Sequence, residues 1–217
     1  MKKDTHLYFL TAVCMLAAFV AWTIAVRFVD IRAIGPEGSS VGFAAVNLFF
    51  HNMTGVHMSL YILTDWLGLV PVGFAAAFAL LGLIQWIQRK SLLNVDRSIL
   101  ILGIFYIAVI AAYLFFEKYV VNYRPVLIEG YLEASYPSST TLLVMCVMPT
   151  AAMQLNRRIK NACFRNISGL IISVFAAFMV IARLISGVHW LTDIIGGAFL
   201  SAALVMMYYS LARKTQL

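Results

Sequence analysis

Uncharged, mostly apolar runs recur along the chain at Leu7 to Val26, Trp66 to Ile87, Ser98 to Phe116, Ser138 to Leu155, Ile167 to Ala182 and Ile194 to Ala212. A helix needs roughly 20 such residues to cross the hydrocarbon core of a bilayer, so each run predicts a membrane-spanning helix. The fifth reaches that length only if it continues past Arg183. The first run follows Lys2 and Lys3, yet it is too long for the core of a cleavable signal and lacks a small-x-small cleavage site, so it reads as a span. Between the first two runs, residues 29–59 form a connection: DIRAIGPEGSS reads as a loop, and VGFAAVNLFFHNM predicts an amphipathic helix lying in the interface. A second connection covers 117–137. No internal repeat or second domain interrupts the pattern. The expected fold is all-α, a six-helix membrane bundle over residues 1–217.

Composition agrees. With 63% hydrophobic and 12% charged residues and a mean hydropathy of +0.91, the chain cannot present a water-soluble surface. Charge then sets orientation. Placing the N-terminus inside leaves Lys2, Lys3, Arg89, Lys90, Arg97, Arg157, Arg158, Lys160, Arg165, Arg213 and Lys214 on the inner side, eleven of the sixteen basic residues. The positive-inside rule therefore predicts both termini in the cytoplasm of a multi-pass protein, with a bacterial plasma membrane as the expected setting. The net charge of +7 reflects this topology; the basic residues form no single stripe of the kind that binds nucleic acid. Cys14, Cys146 and Cys163 are scattered, with neither a disulfide framework nor metal-ligand spacing.

The acidic residues gather on the other side, at Asp30, Glu37, Glu117, Glu129 and Glu133, with Asp65 and Asp193 near the outer ends of spans. Three outer segments there carry candidate chemistry: EKYVVNYRP (117–125), YPSSTT (136–141) and ARLISGVHWLTD (182–193). His189 and Asp193 are four apart, so a helix would place them on one face, where the carboxylate holds one imidazole nitrogen and leaves the other free. Ser186 and Gly187 bend the chain between Arg183 and His189. An anchored imidazole beside Arg124 and Arg183 suits attack on an anionic phosphoryl group. Ser138, Ser139 and Thr140 open a helix, where hydroxyls and free N–H groups favour an anion. Ionisable groups at membrane depth point to function, whereas Lys118 could equally be a lysine snorkelling at the end of a span, and Asp65 either a structural pair or part of the site.

These segments resemble the signature of the type-2 phosphatidic acid phosphatase superfamily: Lys-x6-Arg-Pro, Pro-Ser-Gly-His and Ser-Arg-x5-His-x3-Asp. Arg183, His189 and Asp193 reproduce the third motif, with Ala182 in place of Ser, and Arg124-Pro125 close the first. Lys118 sits one residue too close to Arg124, and Glu117 occupies the strict position. In the second motif Pro137-Ser138 match, Ser139 replaces Gly, and Thr140 stands where the family has the His that protonates the leaving group. A threonine hydroxyl has no suitable pKa for that role.

The resemblance implies a lipid phosphate or diphosphate phosphohydrolase at the outer membrane face, for example on undecaprenyl diphosphate or phosphatidic acid, without metal or other cofactor. His189 would attack phosphorus to form a phosphohistidine, Asp193 would orient it, and Lys118, Arg124, Ser138, Ser139, Thr140 and Arg183 would bind phosphate. His51 and His57 are candidate substitute acids. General acid catalysis is worth roughly 100- to 10,000-fold, mostly for poor leaving groups, so its loss at Thr140 tilts the expectation toward a diphosphate. Two other readings stand beside this one: a phosphoryl transferase between lipids, and a weak or inactive relative that binds or translocates a lipid phosphate.

Overall fold

The computed structural model describes residues 2–214, with the side chains of Lys2, Lys3, Asp4 and Lys214 outside the described set. Among the described residues eight α-helices follow one another: α1 (Lys2–Phe28), α2 (Ala44–Thr54), α3 (Met58–Leu67), α4 (Leu69–Arg89), α5 (Arg97–Lys118), α6 (Ser139–Arg158), α7 (Ala162–Ile185) and α8 (Leu191–Lys214). Among the described residues there is no extended strand, only isolated bridges such as Tyr123 to Ala134.

Among the described residues five helical segments are long and apolar enough to cross a membrane: Thr5–Phe28, Met58–Arg89, Arg97–Lys118, Ala162–Ile185 and Leu191–Arg213. Each covers one of the expected runs. The second is longer than expected, because α3 and α4 follow each other across Gly68 in a segment of 32 residues. The uncharged run stopped at Asp65, but helix does not: Thr64 and Asp65 face Arg183 of α7 and keep their polar ends occupied. The fifth run continues past Arg183 to Ile185.

The fourth run forms α6, a helix of 20 residues that is not among the five. Its Thr141, Thr150 and Gln154 are buried, and it lies against α4, α5, α7 and α8, so its outer surface meets protein on most sides and needs less hydrocarbon. Thr150 caps its own backbone at Cys146 and Val147, and Gln154 donates to Ser98 and Tyr208.

α1 and α8 pack along each other over their length. Tyr8 stacks on Tyr209, and at the far end Trp22 donates to the Thr192 carbonyl. The start of α1 and the end of α8 therefore lie at the same end as Ser98, Gln154 and Tyr208. The α1–α2 loop, residues 119–138, the start of α6, the α7–α8 turn and the α2–α3 loop gather at the opposite end. α2 is the helix expected between residues 29 and 59. Its buried Asn47 bonds Gly42 and both the hydroxyl and N–H of Thr192, which fixes α2 to the start of α8.

Candidate active site

The turn from Ser186 to Trp190 leaves α7 before α8 begins at Leu191, so His189 lies in the turn and Asp193 in the first turn of α8. This corrects the expectation that both share one helical face. Direct pairing is loose, with His189 Nδ1 at 3.9 Å from Asp193 Oδ2. Ser135 fills the gap: its Oγ donates to Asp193 Oδ2 at 2.5 Å and lies 2.9 Å from His189 Nδ1. Asp193 also accepts from Asn122 Nδ2 at 3.2 Å and from the Trp190 N–H at 3.0 Å.

This wiring fixes the imidazole. An ionised carboxylate only accepts, so the Ser135 hydroxyl proton points to Asp193, and the serine oxygen is left to accept from Nδ1–H. Nε2 then carries the lone pair. It is buried and has no hydrogen-bond partner. Burial, then the positive charges of Arg124 and Arg183, hold the His189 pKa well below 6.5, which keeps the ring neutral and nucleophilic.

The backbone makes the turn possible at Gly187, whose φ is +69°; a Cβ there would lie 2.0 Å from the Gly55 carbonyl oxygen. The α2–α3 loop is thereby clamped over the turn, with the His57 N–H bonded to the Ser186 carbonyl.

His189 lines a cavity of about 260 Å³ with Arg124, Ser139, Ser135, Glu117, Glu133 and Tyr113 among its walls. Arg124 is buried; its Nε lies 3.0 Å from Glu133 Oε2 in an ion pair without hydrogen-bond alignment, and its Nη1 has no partner. Arg183 is 1% exposed, over the Tyr61 ring at 4.6 Å, with Nη1 on Thr64 at 3.1 Å, Nη2 at 3.8 Å from Asp65, and Nε unpartnered. The Tyr61 ring also lies 5.7 Å from the Arg124 guanidinium, so one aromatic side chain spaces the two cations. Arg124, with its unpartnered Nη1 in the same cavity as the free imidazole nitrogen, can hold a phosphoryl group for attack, whereas Arg183 does not line this cavity.

Other expected residues are placed differently. Ser138 caps α6, accepting from the Thr141 N–H and hydroxyl, while Ser139 reaches the cavity. Thr140 lines a neighbouring apolar cavity of about 330 Å³ that shares Tyr113, Ser139 and Leu142 with the first. Lys118 is exposed and outside the cavity, where Glu117 stands instead. His51 packs its ring 5.5 Å from that of Trp190, and His57 Nε2 meets the Thr54 carbonyl at 2.8 Å; neither lines the cavity. Burial keeps His51 below its ordinary pKa. Among the described residues no three His, Cys, Asp or Glu side chains gather as metal ligands.

Sequence reasoning missed Ser135, Asn122 and Tyr61. Ser135 and Asn122 lie in the connection covering 117–137, but no spacing rule links position 135 to 189 or 122 to 193.

A family model described as the PAP2 superfamily matches residues 105–216. No curated protein matches the sequence. The crystal structure of the first transmembrane PAP2 type phosphatidylglycerolphosphate phosphatase from Bacillus subtilis is similar in fold, with a TM-score of 0.61 over 94% of this chain and 96% of that one at 18% identity.

Proposed function

The chain belongs to the PAP2 superfamily, and from that premise we propose that it is a membrane lipid phosphatase working through a phosphohistidine at His189. The observation that carries this reading is the buried, unpartnered Nε2 of a neutral imidazole, opening on a cavity that also holds Arg124, whose Nη1 has no partner. Nε2 attacks phosphorus as the bond to the lipid oxygen breaks. Arg124 and Arg183 neutralise the phosphoryl oxygens, Ser139 and the start of α6 add donors, and Asp193 stabilises the charged ring through Ser135. Water then cleaves the P–N bond and releases phosphate.

The positive-inside rule orients the site away from the cytoplasm, since the α4–α5 and α6–α7 connections and the helix ends beside them, with Arg89, Lys90, Arg97, Arg157, Arg158, Lys160 and Arg165, lie at the other end. The substrate is a lipid phosphate or diphosphate. A diphosphate makes the smaller demand on the site, because its leaving phosphate, with a second pKa of about 6, departs largely unaided.

A second reading, binding a lipid phosphate without turnover, is favoured by Thr140, which offers no proton near neutral pH. One experiment separates them. Purified protein in detergent is offered undecaprenyl diphosphate, phosphatidic acid and phosphatidylglycerolphosphate. Phosphate release that His189→Ala reduces to background supports the phosphatase; binding that Arg183→Ala weakens, with no release from any of the three, establishes the second reading.

A further inference from the structure

The cavity around His189 carries two carboxylates, an unexpected lining for a site that receives an anion. Glu133 is the counterion of Arg124, at 3.0 Å. Glu117 has no ion pair or hydrogen bond among the described residues, although it lines the same walls as His189, Arg124 and Ser139. It stands at the end of α5, in the register where the resemblance would place a lysine. Thr140, which takes the place of the expected acid, faces the neighbouring apolar cavity instead.

Resting on the phosphohistidine reading, we infer that Glu117 is a catalytic residue that carries the proton to the departing lipid oxygen and recovers it from water. Four groups that titrate or carry charge face it within the cavity: Tyr113 of its own helix, Arg124 and Glu133 of the following loop, and His189 of the α7–α8 turn. Glu117, Arg124, Glu133 and Tyr113 line the walls of this one cavity. His189 is neutral and Arg124 already has Glu133, so Glu117 is the group left to respond when substrate enters. A phosphoryl anion in about 260 Å³ repels an ionised carboxylate, and uptake of one proton with the substrate relieves that repulsion.

The proton is then where the chemistry needs it. As Nε2 bonds to phosphorus and the P–O bond to the lipid breaks, the Glu117 proton passes to the departing oxygen. Water next bonds to phosphorus as P–Nε2 breaks, and its proton returns to the Glu117 carboxylate. The proton taken up with the substrate is released as phosphate departs, so each turnover consumes one water and leaves both side chains as they began. This cycle brings alkyl phosphomonoester lipids within reach of a site that lacks the second-motif histidine.

The test compares two leaving groups. Formation of phosphohistidine on His189 is followed with phosphatidic acid, whose alkoxide leaves poorly, and with 4-nitrophenyl phosphate, whose phenolate leaves without help. Glu117→Gln should slow the reaction roughly 100- to 10,000-fold with phosphatidic acid and less than about threefold with the aryl ester, with Glu117→Asp intermediate. The aryl ester also reports that the variant is folded. Equal effects on both substrates, or faster phosphatidic acid turnover in Glu117→Lys, would overturn the role of Glu117 while leaving the nucleophile in place. If neither ester phosphorylates His189 in the unaltered protein, the phosphohistidine reading fails and this inference fails with it.

Discussion

Ser135 does at the residue scale what the spacing of His189 and Asp193 seemed to do alone. The i,i+4 interval suggested direct contact on a helix, but the helix starts after His189, and a serine from 54 residues earlier bridges the two. His189, Asp193 and both arginines could be singled out in the sequence because each stands in a local pattern of unusual charge in an apolar chain. Their wiring was not, because it joins segments whose separation in sequence says nothing about distance. Ser135→Ala removes a hydrogen bond to a charged group, worth about 1.5–3 kcal/mol, so His189 phosphorylation should slow roughly 10- to 100-fold with little change in KM. A fall in KM-dependent binding alone would contradict the relay. The depressed pKa of His189 makes a second prediction. Between its folded value and 6.5 the unfolded chain binds a proton that the native ring does not, so native stability is present above 6.5 and declines as pH falls below it. The free ring, followed by nitrogen-15 NMR in detergent, should remain neutral well under pH 6.5; titration at the ordinary value would show that burial and the two arginines do not act on it.

At the scale of elements, the site is assembled by short connections held rigid by close approaches. α2, expected as an interfacial helix, is tied to α8 by Asn47, and the loop after it is clamped onto the α7–α8 turn where Gly187 meets Gly55. A helix at 44–54 could be read from its apolar pattern, whereas its anchorage could not, since Asn47 looks in sequence like one polar position among apolar neighbours. Gly187→Ala combines a left-handed backbone, costing a non-glycine residue roughly 1–2 kcal/mol, with a Cβ 2.0 Å from a carbonyl oxygen that belongs to another loop. Thermal unfolding in detergent should therefore show a clear loss of stability, together with lost phosphatase activity as His189 shifts. Gly73→Ala in α4, where an added Cβ meets nothing within 4 Å, is the matched control and should leave both unchanged. Equal behaviour of the two variants would remove the clamp from the account.

For the whole molecule, the same chain must satisfy lipid around its sides and water at both ends. Five helical segments, one of them joining α3 and α4, carry the long apolar surfaces among the described residues, while α6 spends its polar residues inside and brings Ser138 and Ser139 to the site. The six runs were visible in the sequence, but the different character of α6 was not, because hydropathy along one helix does not reveal how many neighbours surround it. The orientation expected from charge can be measured with the native cysteines. Cys146 is buried and Cys14 lies within α1, whereas Cys163 is exposed at the start of α7, beside the basic connection. A membrane-impermeant maleimide added to intact cells should leave Cys163 unlabelled and should label it in inverted vesicles. Tyr131→Cys supplies the opposite reporter, since Tyr131 is 73% exposed in the loop at the catalytic end and should react in intact cells. The reverse pattern would place His189 on the cytoplasmic side, leaving its chemistry intact but changing which leaflet supplies the lipid.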